Sequence, residues 1–249
     1  MEPPAFHPDW DRVRALVTER TRLVIINSPH NPACSCLQGA DLDALAAIVR
    51  ERDCVVLADE VYEHMVFDGA KHASVLTHPE LRARSVAVYS FGKTLHATGL
   101  RIGYAVAPPA LTTELRKVHQ FNTFTIATCL QQAVAGYLRE RPQCGADLPE
   151  YFQQKRDRLS TLLDDSGLRV LRSAGSYFQL VDYSAVSARG DVELAGALID
   201  EAGVATIPLS VFYREPPPLR LLRLCFAKRD ATLVEGARRL GDWARRQQG

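Results

Sequence analysis

Val86-Ala-Val-Tyr-Ser-Phe-Gly-Lys-Thr-Leu-His-Ala-Thr-Gly-Leu-Arg-Ile-Gly-Tyr104 is the stretch on which the reading of the fold turns. A short apolar run stops at Ser90 and delivers Lys93 into a polar turn, and Arg101 follows in a glycine-punctuated segment. Ligands of open α/β sheets bind beyond the carboxyl ends of the strands, so this order suggests a reactive amine placed beside an anion site. Taken alone, a lysine in a loop is an ordinary solvated charge.

Two upstream runs end in the same way. Val24-Ile25-Ile26 leads into Asn27-Ser-Pro-His-Asn-Pro32, and Cys54-Val-Val-Leu-Ala58 leads into Asp59-Glu-Val-Tyr62. Three β-rich apolar runs bounded by polar or turn residues and separated by helical pattern predict parallel strands whose carboxyl ends share one crevice. The expected cluster is Asn31, Asp59, Tyr62, Ser90, Lys93 and Arg101.

The order Asn27-x-Pro29-x-Asn31-Pro32, Asp59-Glu-Val-Tyr62, Ser90-Phe-Gly-Lys93, then Arg101 in Gly-Leu-Arg-Ile-Gly and Arg223 in Arg-Leu-Cys-Phe-Ala-Lys228, resembles the signature of the class I aminotransferases. These are fold type I pyridoxal-phosphate enzymes. Lys-Thr-Leu-His-Ala-Thr-Gly and Tyr-Phe-Gln-Leu-Val-Asp-Tyr-Ser184 are most similar to the methionine aminotransferase and kynurenine transaminase branch.

The resemblance implies an α/β fold with a partial large domain built on a mainly parallel sheet and a smaller C-terminal α/β domain. It implies pyridoxal 5'-phosphate held covalently by Lys93, which would also carry a proton during catalysis. By the same resemblance Asp59 faces the pyridine nitrogen, Asn31 and Tyr62 the phenolic oxygen, and Ser90 and Arg101 the phosphate. Arg223 would clamp the substrate carboxylate. The residues agree chemically, since a near-dianionic phosphate needs a guanidinium and a hydroxyl. A charge such as Arg223 in the apolar run Leu221–Phe226 is costly without a partner, and an internal ion pair is the alternative.

The expected activity moves an amino group from a methionine-type or aromatic amino acid to a 2-oxo acid, in a homodimer. A pyridoxal-phosphate-dependent Cβ–S lyase and a non-catalytic fragment are the competing readings. The second arises because nothing before Leu23 resembles the family's N-terminal portion, which carries a phosphate loop and a ring-stacking aromatic; a truncated gene model is the corresponding expectation.

Composition excludes other classes. The 249 residues are 47% hydrophobic, enough for a large core. Thirty basic residues against twenty-nine acidic ones give a net charge of +1, with no basic run that would suggest a nucleic-acid or membrane-surface partner. No apolar run reaches membrane-spanning length, and Met-Glu-Pro-Pro-Ala-Phe-His-Pro is not a signal peptide, so a cytoplasmic protein is expected. The cysteines at 34, 36, 54, 129, 144 and 225 are scattered and read as free thiols. His64, His72 and His78 lack metal-ligand spacing, so no metal is expected and surface or packing roles are favoured.

The spacing predicts helices over 9–19, from an Asp41 cap to Val49, over 110–138 in two pieces around 122–125, and over 148–163, 191–202 and 230–243. Strands are expected at 102–106, 177–181, 204–207 and 219–226. Proline and glycine in Arg139-Glu-Arg-Pro-Gln-Cys-Gly145 break the pattern, and the boundary between a domain of 1–140 and one of 141–249 is placed there.

Overall fold

The computed structural model describes residue 1 and residues 3–248. The chain forms two compact units: Met1–Pro29 with Ser35–Pro149, and His30–Cys34 with Glu150–Gly249.

The first unit runs α1 (Trp10–Leu16), β1 (Leu23–Asn27), α2 (Gly39–Arg50), β2 (Val55–Asp59), α3 (Pro79–Arg82) and β3 (Ser85–Ser90). A one-turn helix α4 (Phe91–Thr94), β4 (Gly103–Val106), α5 (Pro109–Asn122) and α6 (Thr128–Glu140) follow. The sheet order is β1-β2-β3-β4, parallel across the first two pairs and antiparallel at the last. The three runs that decided the sequence reading are therefore neighbouring parallel strands.

Strand alternation divides the sheet into two faces. Val24, Ile26, Val56, Ala58, Ala87 and Tyr89 point to one side, where Leu42, Leu45, Ala46 and Val49 of α2 cover them together with Val75 and Leu81. Asn27, Asp59 and Ser90 lie on the other face, at the strand ends.

Two local expectations are corrected. Helix α1 is shorter than 9–19, because Asp9 is its cap, accepting from Arg12 N, and Val17 is already extended. Asp41 does not cap α2 from the N-cap position; it sits inside the first turn and its Oδ2 accepts from Gln38 N at 2.7 Å, serving the same orphaned donors from the third helical position.

The second unit comprises α7 (Leu148–Leu163), β5 (Arg169–Val170), β6 (Phe178–Asp182), α8 (Asp191–Ala202), β7 (Ile207–Pro208), β8 (Leu221–Cys225) and α9 (Asp230–Gln248). Its sheet, ordered β5-β6-β8-β7, is antiparallel throughout. Gly203 ends α8 as a left-handed cap at φ +64, and its N–H reaches Ile199 O at 3.1 Å. The strand expected at 204–207 contracts to Ile207–Pro208, since Val204 N already completes the helix cap through Leu198 O. Strand β5 had too short an apolar run to be legible in sequence.

All six cysteines are free thiols. Among the described residues no helix is long and apolar enough to cross a membrane, and no group of His, Cys, Asp and Glu side chains could hold a metal ion.

Leu45, fully buried between α2 and the sheet, tests this core. Leu45→Ala is expected to lower the unfolding free energy by about 2–5 kcal/mol, read as a lower midpoint in urea with unchanged slope.

Candidate active site

The end of β3 is shaped by a tight turn. Ser90 keeps extended backbone angles, α4 makes one turn closed by Leu95 N to Phe91 O at 2.8 Å, and Phe91 N reaches Ile102 O at 3.1 Å. Gly92 suits a close approach here: a Cβ would lie 3.1 Å from Thr98 Cα and 3.2 Å from Ser90 Oγ, so those neighbours would have to give way. Gly103, paired with Ser90 across the ladder, is required strictly, because a Cβ there would overlap the Tyr89 carbonyl oxygen. The two glycines thus let the chain fold back over the strand end.

This turn carries Lys93, whose Nζ sits 5.7 Å from the ring centroid of the buried Tyr62, a cation–π contact. Arg101 adopts φ +54, and its Nη1 donates to Thr98 O at 3.0 Å. A non-glycine residue in the left-handed region is costly unless its surroundings impose it, and such positions concentrate at functional sites. On the adjacent strand the Asp59 backbone is held by Asn27 Nδ2 at 2.9 Å and Ser28 N at 3.1 Å, both donating to its carbonyl, while Oδ1 accepts from Val61 N at 3.3 Å. The first unit therefore brings Asp59, Tyr62, Ser90, Lys93 and Arg101 to the carboxyl ends of β2 and β3.

Asn31 and Arg223 belong to the second unit, where they meet: Arg223 Nη1 donates to Asn31 Oδ1. The guanidinium also lies 4.0 Å from the ring centroid of Phe178 and 5.9 Å from that of Phe212. These partners are neutral, so the positive charge is oriented by an amide and two rings while none of the three neutralises it. Phe178 and Phe212 were not singled out in the sequence. Phe178 stands diagonally across the β6–β8 ladder from Arg223, whose direct partner is Leu180, and that diagonal spacing was the available signal. Within the same proline-rich segment, burial pushes the His30 imidazole down to about 4, while its Nδ1 accepts from Ala33 N at 3.2 Å.

The sequence model of the family described as "Aminotransferase class I and II" matches residues 1–240. The chain belongs to this family. Among curated members, the methionine aminotransferase of Escherichia coli K12 is 51% identical over 240 residues, covering 96% of this chain and 62% of the relative. Mouse kynurenine–oxoglutarate transaminase 1 is 32% identical over 260 residues, covering 94% and 61%. Of the family's solved structures, that of E. coli YbdL, reported to identify a methionine aminotransferase function, superposes with a TM-score of 0.94 at 51% identity, covering 97% of this chain and 63% of that one. N-Succinyldiaminopimelate aminotransferase from Mycobacterium tuberculosis gives 0.90 at 37%, covering 95% and 62%. This aminotransferase-family chain thus has the α/β fold of its relatives and spans a little over three-fifths of their length.

His30 makes a pH test of its segment. Its native pKa, about 4, lies below the ordinary 6.5, so the unfolded chain takes up a proton first as pH falls. Its contribution to stability is fully present above about pH 6.5 and is progressively lost down to about pH 4. Denaturant titrations across this window should show stability dropping by up to about 1.4 kcal/mol per pH unit from this group, and His30→Asn should flatten the profile by that amount.

Proposed function

We propose that the chain forms the Lys93 and Arg223 portions of a pyridoxal-phosphate-dependent aminotransferase that moves the amino group of methionine or an aromatic amino acid to a 2-oxo acid. The observation that carries this reading is the strand-end turn in which Lys93, Tyr62, Ser90 and the left-handed Arg101 gather beside Asp59. The 51% identity to a methionine aminotransferase supports the substrate class.

The donor set fits the cofactor. An amine, a guanidinium and a hydroxyl on one turn suit an aldehyde and a phosphate, and a carboxylate on the next strand suits a protonated ring nitrogen. When bound, pyridoxal phosphate supplies an electron sink for the charge left at the amino acid's Cα. Lys93 Nζ would anchor the cofactor and, once displaced, take and return the Cα proton. Asp59 would keep the ring nitrogen protonated. Ser90 and Arg101 would bind the phosphate, and Tyr62 and Asn31 would donate to the phenolic oxygen.

Arg223 would bind the substrate carboxylate, for which its neutral partners Asn31, Phe178 and Phe212 leave the charge available. Because the Phe178 ring already packs against the guanidinium, the fork is ordered before substrate arrives, and less rotamer entropy is lost on binding.

Replacing Lys93 and Arg223 should fail in different ways. Lys93→Ala should abolish borohydride fixation of cofactor to the chain and lower turnover by several orders of magnitude, while cofactor still binds through Asp59, Ser90 and Arg101. Arg223→Ala should keep the fixation and reduce kcat/KM by the equivalent of about 2–5 kcal/mol, mostly through KM. Cofactor still fixed in Lys93→Ala protein would move the anchor to Lys71 or Lys117. Release of a thiol and ammonia without amino transfer would turn the reading to a lyase.

The same reading makes the active form a homodimer. Helix α5 supports it: it buries no side chain, and Phe121 is 86% and Val118 66% exposed. Light scattering coupled to gel filtration should give twice the chain mass, and a fully active monomer at assay concentration would refute it.

A further inference from the structure

Glu60 follows Asp59 directly, but strand alternation turns its side chain to the opposite face of the sheet, where it is only 2% exposed. A carboxylate in such a place is expensive unless its oxygens are filled. They are: Oε1 accepts from Val75 N at 2.9 Å, and Oε2 accepts from Ser74 Oγ at 2.7 Å and Tyr89 OH at 2.7 Å. His72 Nε2, also largely buried, lies 3.1 Å from the same oxygen. Burial by itself would raise the Glu60 carboxyl, but the contacts from His72, Ser74 and Tyr89 outweigh it and hold the group below its ordinary value. The carboxylate is thus the charged hub of a buried network.

What the hub joins matters more than its charge. Tyr89 immediately precedes Ser90 on β3, pairs with Tyr104 on β4, and stacks on its ring at 4.8 Å between centroids. Glu60 N donates to Val88 O at 3.0 Å just past the last β2–β3 rung, Asp59 with Val88. The two strand ends that carry Asp59 on one side and Ser90 with Lys93 on the other are therefore tied twice, by the backbone and by the Glu60–Tyr89 hydrogen bond on the reverse face. The segment Ser74–Val75 is drawn into the same knot.

We propose that Glu60 is a positioning residue, whose buried bond to Tyr89 sets the separation between Asp59 and the Ser90–Lys93 turn from behind the sheet. Its consequence for cofactor binding rests on the function proposed above; its consequence for the strand ends does not. Glu60 touches neither substrate nor cofactor in this scheme. Its effect is transmitted through two strands of a parallel sheet, where a shift of one strand end displaces every group that follows it.

The test uses Glu60→Gln and Tyr89→Phe in the full chain. Tyr89→Phe keeps the ring and its stack on Tyr104, so it remains informative if Glu60→Gln fails to fold. Three measurements are made well below the melting temperature: amide exchange by mass spectrometry without cofactor, binding of pyridoxal phosphate for its dissociation constant, and steady-state kinetics with methionine for kcat and KM. Exchange in peptides covering 58–62 and 88–94 should accelerate about tenfold, and cofactor affinity should fall about tenfold, the scale of one lost buried hydrogen bond. Turnover should drop while KM for the amino acid stays within about twofold, because Arg223 is untouched. Variants that melt earlier yet keep wild-type exchange at both strand ends and wild-type cofactor affinity would overturn the proposal and leave Glu60 a contributor to stability alone. If wild-type protein did not bind pyridoxal phosphate, the proposed function would fall, and the exchange measurement would still decide for or against Glu60 as the tie between the strands.

Discussion

The candidate site depends on one constraint, the parallel hydrogen-bond register of β1, β2 and β3. Pairing Asn27 with Asp59 and Asp59 with Val88 sets the last residues of β1 and β2 level with a point two residues before the end of β3, although the three are separated by long stretches of sequence. Backbone groups inside a sheet have few alternatives to their ladder partners, so this line is held as firmly as the core behind it. Asp59, Ser90 and the turn to Lys93 inherit their positions from it.

The two faces of that sheet divide the labour. On one, α2 and the segments around Val75 and Leu81 supply the apolar burial that makes the register worth keeping. The other carries polar residues at its strand ends, and its β1 side chains are open, Ile25 being 67% exposed. Glu60 and Tyr89 belong to the first face but lie at the end where the polar residues begin, which is why a carboxylate there needs four polar partners.

Local backbone demands complete the site. Gly103 is needed and Gly92 leaves room where the chain returns over the end of β3, and Arg101 accepts a left-handed conformation between them. In the second unit the same economy appears around Arg223. An amide oxygen and the Phe178 ring hold the guanidinium in place without spending its charge.

The sequence by itself determined the three parallel strands, the helices α7 and α8 to the residue, the body of α2 though not its start, and the family the chain resembles, and it named Asn31, Asp59, Tyr62, Ser90, Lys93, Arg101 and Arg223 as candidates. These were legible because strand and helix periodicity are local and because ordered motifs survive in one dimension. Only the tertiary structure decided that Asp41 caps from inside its helix, that Phe178 lies against Arg223, and that Glu60 is buried against Tyr89 while its neighbour Asp59 faces the other way. The Asp41 cap is a local matter of where its helix starts; the other two depend on which residue of another element stands opposite. Register and alternation set that relation, and no window of sequence contains both partners.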